Sequence, residues 1–569
     1  MPLSLKLSPA CSLARTRPFC CGAATMSSSS SRTENPNLEP RSVVSGLLFP
    51  PDPYAANPPR LLVFRRSDKV RTYKRKLAPI SGSIETYDQS PLAAAWRELG
   101  EETRLQPKDV ELWRKGAGFR FTDETALSGQ DGKGPKKGRI WTVWPFAFRL
   151  KRELVEEGGV DGSGVSLKID WEHLNYEWRT VDEILSGKIL DDCVPRLEST
   201  LGQVWVDQDS VLYRGLEQLR LDHVRGAREL ATMAVRSLIE IIQDEQQKDQ
   251  DLPPERVEDW WKAFRRQAFH LAVNGRPSMG AAISAAVLTA LARVRPEVAA
   301  GGSGVRDRVK EGLQRYVEER GEVITRVGHR FSEALGDWFG TSNRVIRILT
   351  LSSSSTIRSA ILHALDNDPT CRVELRILES RPLYEGVSFA KFLTAEAQRR
   401  QAGQSTGPSL HDRLHIVLAS DASVGILSKD VDLVLIGADR ISEAGDVSNK
   451  TGSLPAVLTS KAVTDGAARV VCISELDKIA PPGSTEEHGE EDNDRDEVMN
   501  GWQLGPDMQN PGSENLWNEV VTVRNVYFEW VPAKYVDAYV CETGLLNRDE
   551  IGKQSTRVKD LAEEMFFNS

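Results

Sequence analysis

A chain of 569 residues is too long for one hydrophobic core and implies two to four domains. Its 40 % hydrophobic content is ordinary for a globular protein, and its net charge of -9 argues against a dedicated nucleic-acid binder. No uninterrupted apolar run approaches the ~18 residues of a membrane span, and seven scattered cysteines without paired metal spacing favour reduced thiols in an intracellular compartment.

Residues 1–41 stand apart as a disordered or transit segment. The first 25 residues hold Lys6, Arg15 and Arg17 and no acid. If they are genuine they suggest a mitochondrial destination; Met26, ahead of a serine run, is the alternative start, and a cytoplasmic location is then expected. The next unit, 42–195, reads as α+β. Strands are expected at 43–49, 60–65 and 140–150, with further elements at 171–177 and 180–185. A helix is expected over 88–105, with Ser90 as cap and Pro91 at the first helical position, where its missing N–H costs nothing.

Residues 205–345 form a helical subdomain, with apolar spacing of three or four over 212–219, 225–243, 260–273, 279–293 and 305–331. From 346 to 569 the pattern becomes Rossmann-like α/β. Short apolar strands at 345–349, 373–378, 413–418, 431–436 and 469–474 alternate with helical segments, as in a parallel sheet covered on both faces. An acidic loop over 480–517, rich in Glu and Asp from Glu486 to Glu497, interrupts it and is expected to be mobile.

Two stretches carry chemistry. In the first, Glu98, Glu101 and Glu102 share one face of a helix. Carboxylates that close repel unless a cation intervenes, and Mg²⁺ or Mn²⁺ bridges such oxygens to phosphate. Arg97 can orient one of them, and Trp96, Trp141 and Trp144 offer faces for a base. The plain alternative is a solvated helix face. Gly82, Ala93 to Ala95, Arg97, Glu98, Glu101, Glu102 and Leu105 together resemble the signature of the Nudix hydrolases. That resemblance implies metal-dependent cleavage of a nucleoside-diphosphate derivative, with Glu98, Glu101 and Glu102 as catalytic metal ligands. Three positions depart from the pattern. Its first glycine falls on Ser83, one residue after Gly82; its loop glutamate falls on Gln89, beside Asp88; its second glycine falls on Arg104.

In the second stretch, Asp439 follows the apolar run 431–436, at the carboxyl end of a strand where ligands of open α/β sheets bind. Capping the next helix is the plain alternative for that aspartate. The run Thr350-Leu351-Ser352-Ser353-Ser354-Ser355-Thr356 joins a strand to a helix, where hydroxyls and free N–H groups hold phosphate. Arg225 with Gly226, Arg276, Arg381, and Asn449 with Lys450 add candidate contacts for a polyanion. The stretches Glu379-Ser380-Arg381-Pro382, Gly437-Ala438-Asp439-Arg440-Ile441, Gly445-Asp446-Val447-Ser448-Asn449-Lys450 and Val531-Pro532-Ala533-Lys534-Tyr535 resemble one particular family. It unites the methylthioribose-1-phosphate and ribose-1,5-bisphosphate isomerases with the alpha, beta and delta subunits of translation initiation factor two B. The resemblance implies a homodimer through the C-terminal domain, or assembly with translation-factor subunits. It places the isomerases' aspartate on Asp439 and their cysteine on Ser352, whose hydroxyl is a far weaker acid than a thiol.

The leading expectation is therefore a Nudix-type hydrolase fused to a domain that binds a phosphorylated pentose or nucleotide. The alternatives are a regulatory translation-factor-like subunit with a degenerate first domain, and an aldose-ketose isomerase.

Overall fold

The computed structural model describes residues 38–123, 138–154, 167–222, 225–248, 252–340, 344–403, 410–483, 493–502 and 520–567. The expectations for residues 1–37, and for most of the acidic stretch, lie outside the described residues. Its described part includes the short helix Arg495–Met499.

The first domain is built on a mixed sheet of β1 (Leu38–Phe49), β2 (Arg60–Arg66), β3 (Leu77–Ala78), β4 (Ile80–Ser83), β5 (Val110–Lys115), β6 (Phe119–Asp123), β7 (Gly138–Leu150) and β8 (His173–Thr180). β1 runs parallel to β7 from Leu38 opposite Gly138 to Phe49 opposite Arg149. The helix Pro91–Thr103 starts as its sequence predicts, with the Ser90 hydroxyl accepting the Ala93 N–H at 3.2 Å. Its Ala94, Ala95 and Leu99 are buried against the sheet. Small side chains bring the helix close to β1 and β4, so the charged positions that follow lie near the strand ends.

The helical subdomain comprises Val211–Leu221, Ala227–Lys248, Val257–Asn274, Gly280–Ala300, Val305–Gly321 and Val323–Phe339. The spacing over 305–331 predicts one helix, but the chain re-aims between Gly321 and Val323. Gly321 favours the break, and the second piece packs on Ser355–Asn367 of the following domain. The segment Pro277–Ala300 is long and apolar enough to cross a bilayer. It is instead the centre of the helical core: Ala282, Ile283, Ala286, Val287, Ala290 and Leu291 are all fully buried there.

The last domain contains β9 (Val345–Leu351), β10 (Arg372–Leu378), β11 (Leu414–Ala419), β12 (Leu433–Ile436), β13 (Arg440–Ile441), β14 (Val447–Lys450), β15 (Arg469–Ile473), β16 (Phe528–Val531), β17 (Ala538–Cys541) and β18 (Gly544–Leu546). Its main sheet has the order β11-β10-β9-β12-β15-β17-β18, parallel except for β18. β13, β14 and β16 form a separate small antiparallel sheet. Strand order reverses between β9 and β12, which opens a crevice at their carboxyl ends. Ser352 follows β9, and Asp439 follows β12.

The first domain is fastened to the helical subdomain. Asn274 Oδ1 accepts the Lys115 N–H at 2.8 Å, and its Nδ2 donates to the Lys115 carbonyl at 2.8 Å. Phe567, beyond the final helix Arg548–Phe566, packs on Trp144 with ring centroids 5.5 Å apart.

Candidate functional sites

The first site centres on Arg97. Its Nε and Nη2 donate to Asp88 at 3.1 and 2.9 Å, its Nη2 also donates to the Ser83 carbonyl at 2.9 Å, and its Nη1 reaches Glu98 at 2.6 Å and Glu101 at 3.2 Å. The Arg97 guanidinium holds Asp88 below the usual carboxylate range. Burial raises Glu98 above that range, and the like charges of Glu101 and Glu172 add to the effect. Gly82 lies against Glu98: a Cβ there would collide with the glutamate's carboxyl group. Gly82 thus makes the close approach to Glu98 and Asp88 the contact to Arg97, at the positions just before Ser83 and Gln89, to which counting back from Arg97 assigns the glycine and the acid. Each stands one residue early, so their mutual spacing is kept.

Arg104 ends the helix with φ 65 and ψ 7, the left-handed conformation that suits glycine, and its N–H reaches the Gly100 carbonyl. The backbone therefore makes the expected turn with a side chain in place of glycine, at a cost of ~1 kcal/mol.

The three glutamates do not converge as their helical spacing suggests. Glu98 and Glu101 border a cavity of about 690 Å³, together with Glu172. Glu102 is buried, accepts the Ser81 N–H at 3.3 Å and lies 2.5 Å from His173 Nε2. Burial beside Glu172, Glu98 and Asp170 raises Glu102 well above the carboxylate range, and burial pushes His173 down to about 4. One proton between these two groups suits that pairing. Among the described residues no three His, Cys, Asp or Glu side chains stand together as a metal-binding group. The donors still fit a hard divalent ion, because Glu98, Glu101 and Glu172 offer carboxylate oxygen only and a cation would offset their repulsion. Arg66, Lys69 and Arg71 line the same cavity. Trp141 also borders the cavity, whereas Trp96 packs on Phe148 and Trp144 on Phe567.

The second site lies at the crevice of the parallel sheet. Ser352 leaves β9 with φ 63, and its N–H donates to the Ser380 hydroxyl at 2.7 Å. Its own hydroxyl donates to Glu385 at 2.9 Å, and the other Glu385 oxygen is 3.2 Å from Lys450 Nζ. The Asp439 N–H donates to the Ser448 carbonyl at 2.8 Å, and its carboxylate lies 3.8 Å from Lys478 Nζ. Lys478 also donates to the Ala438 carbonyl at 2.9 Å. Gly437 lets the chain pass beside Asn449 and Ser354, which would stand 3.3 and 3.6 Å from a Cβ at that position.

The other sequence candidates are placed unevenly. Ser353 is exposed. Ser354 caps the helix Ser355–Asn367 by accepting the Ile357 N–H at 3.2 Å, and Asn449 donates to Ser453 at 2.9 Å. Arg225 and Arg276 meet each other at Asp222: Arg225 binds its carboxylate at 2.5 Å, and Arg276 donates to its carbonyl. Gly226 sits beside them at the start of Ala227–Lys248, with open space around its Cα. Arg381 pairs with Glu379 at 3.1 Å and borders a different cavity of about 300 Å³ with Tyr384, Trp502 and Arg524. Glu385 and Lys478 were missed from sequence. The only signal for either is a charged residue a few positions past a strand end.

Comparison with known proteins agrees with this division. The initiation factor 2 subunit family matches residues 223–548, and the NUDIX domain matches residues 41–196. The chain belongs to the initiation factor 2 subunit family. Its first domain is a Nudix domain, so both resemblances read from the sequence hold. Among curated family relatives, ribose 1,5-bisphosphate isomerase of Archaeoglobus fulgidus is 26 % identical over 246 residues, 40 % of this chain and 66 % of that protein. Its counterpart from Methanocaldococcus jannaschii is 24 % identical over 180 residues, 31 % of this chain and 53 % of that protein. The chain thus spans between half and two thirds of the length of these relatives. The solved structure of translation initiation factor eIF-2B from Pyrococcus horikoshii OT3 aligns over 60 % of this chain and 98 % of its own, at 19 % identity and a TM-score of 0.41.

Proposed function

We propose that the Nudix domain hydrolyses a nucleoside-diphosphate derivative with Mg²⁺ or Mn²⁺. The observation that carries this reading is the Arg97 brace, which joins Asp88, Glu98 and Glu101 at a cavity that Arg66, Lys69 and Arg71 also line. The ion would be held by Glu98 and Glu101, and by Glu102 once it leaves His173; when bound it offsets charge on the diphosphate oxygens and makes water a better nucleophile. Arg66, Lys69 and Arg71 suit the phosphates, and Trp141 offers its face to the base. Phosphate or nucleotide release from a panel of nucleoside diphosphate derivatives, with and without Mg²⁺, tests the reading. Turnover that requires the metal and is lost in Glu98→Gln supports it; no cleavage of any member sinks it.

The family domain, on the same reading, binds a phosphorylated pentose or nucleotide at the crevice between β9 and β12. Lys450 and the turn after Ser352 favour phosphate there. Isomerase turnover is disfavoured because the Ser352 hydroxyl, held by Glu385, is a poor proton donor near neutral pH. Membership of the initiation factor 2 subunit family supports a second reading, a subunit of a translation-factor-like assembly. Co-purification with exchange-factor subunits would favour it, and a homodimer with metal-dependent hydrolase activity would oppose it.

A further inference from the structure

A cavity of about 780 Å³ lies between the Nudix domain and the helical subdomain, bordered by β6, by residues of the 196–212 segment and by the helix Val257–Asn274. Neither Glu98 nor Ser352 borders it. Its polar lining is incompletely satisfied, and the hydrogen-bond network shows in which sense.

The Lys115 backbone fixes the Asn274 amide, because Oδ1 accepts its N–H and Nδ2 donates to its carbonyl. The remaining Nδ2 hydrogen faces His270 Nδ1 at 3.0 Å, so Nδ1 is an acceptor. Burial pushes His270 down to about 3, and the ring is therefore neutral with its proton on Nε2. That Nε2–H has no acceptor among the described residues, although His270 is 1 % exposed and borders the cavity. Gln203, 5 % exposed, and Gln267 also border it, and the side-chain oxygen of each lacks a donor among the described residues.

Arg266 completes the set. The Arg266 side chain is half-buried, borders the cavity and has no carboxylate or hydrogen-bond partner among the described residues. Two carboxylates share the lining, but each has work elsewhere: Glu198 lies 3.9 Å from Arg196 and accepts the Ser199 hydroxyl at 3.1 Å, and Asp207 accepts the Asp209 N–H at 3.1 Å. Water can satisfy the amide oxygens and the imidazole, but it supplies no counter-ion for the half-buried Arg266. The unmet needs are an anion for Arg266 and His270, and hydroxyl or amino donors for Gln203 and Gln267.

We infer that this interdomain cavity is a third ligand site, which binds a phosphate ester carrying free sugar hydroxyls. The phosphate lies on Arg266 and His270, and the hydroxyls on Gln203 and Gln267. A ribose phosphate and a nucleotide share that chemistry, and the stacked Phe119 and Phe121 rings on the wall give a base somewhere to lie. The inference is independent of the hydrolase reading.

The test is calorimetric titration of the full chain carrying both Glu98→Gln and Asp439→Asn, with inorganic phosphate, ribose 5-phosphate and adenosine monophosphate as probes. Binding by ribose 5-phosphate or the nucleotide, weakened about tenfold or more by adding Arg266→Gln, is the expected result. A preference for the nucleotide identifies the ligand as carrying a base, and a preference for ribose 5-phosphate identifies a sugar phosphate. If Arg266→Gln does not fold, Lys262→Glu, an exposed change at the same cavity, must weaken binding in its place. No binding by either ester, or binding that neither substitution weakens, overturns the inference. So does binding seen only when Glu98 and Asp439 are intact. None of these results depends on whether the Nudix domain turns over.

Discussion

Asp88 grips Arg97 through both of its carboxylate oxygens, at 3.1 and 2.9 Å, from a position one residue before the one that counting along the helix assigns. The pair fixes the guanidinium whose other nitrogen reaches Glu98 and Glu101. Asp88→Asn is expected to lower hydrolytic turnover ~10-fold or more, the equivalent of losing one charged hydrogen bond. Gln89→Ala should stay within about twofold, since no described contact ties Gln89 to Arg97. Kinetics of the two variants side by side check this, and equal losses would remove Asp88 from its assigned role.

Burial, with the like charges of Glu101 and Glu172, raises Glu98 above the usual carboxylate range in spite of its Arg97 partner at 2.6 Å. Glu98→Gln should therefore leave the melting temperature in chelator unchanged or higher, while turnover falls ~100-fold or more. Mg²⁺ should raise the melting temperature of the wild type and have little effect on the variant. Thermal melts with and without the ion give the answer directly.

Glu385 acts as an internal counter-ion, 2.9 Å from the Ser352 hydroxyl and 3.2 Å from Lys450. Removing its charge should free Lys450 for phosphate. Glu385→Gln is expected to tighten ribose 5-phosphate binding at the crevice about tenfold, or ~1.4 kcal/mol. The Arg266→Gln background isolates this site in a calorimetric titration. Weaker binding there would mean that Glu385 holds the ligand and does not compete with it.

Glu542 accepts the Leu476 N–H at 3.1 Å and is pushed up to about 7 by burial, with the charges of Asp477 and Glu475 adding. A carboxyl raised in the folded state contributes stability that is full below its unfolded value and is lost as pH rises through about 7. Glu542→Gln should match the wild type near pH 5 and melt higher near pH 8, by up to about 3 kcal/mol at ~1.4 kcal/mol per pKa unit. Melting curves across this window test the sign; a difference that grows toward low pH contradicts it.

Much of the fold follows from local pattern. The apolar runs of β9, β10 and β12 and the Ser90-Pro91 helix start depend on neighbours in the chain, and they stand within a few residues of expectation. Arg104 was legible as a glycine position, and its φ of 65 shows the backbone keeping the turn. What spacing could not reveal depends on partners far away in sequence. Glu102 turns inward because His173, on β8, waits beneath the helix. Glu385 neutralises Lys450 and the Asp222 carboxylate neutralises Arg225, while Arg276 is tied to the Asp222 carbonyl, through contacts set by strand order and helix packing. The one-residue offset of Gly82 and Asp88 was visible in the sequence, but that Asp88 holds Arg97 was not. An alignment to Arg97 presumes a fixed count along the helix, whereas the structure preserves the spacing within the loop.

Phe567 carries a practical consequence for anyone dissecting this protein. The final helix passes the helical core and delivers that ring onto Trp144, beneath the Arg120 guanidinium. The first and last parts of the described chain therefore share a seam. Expressing the halves separately would strip apolar cover from both, and a bulky tag after Phe567 would press on the Nudix domain. Loss of activity in an excised half would then report a damaged seam before it said anything about catalysis.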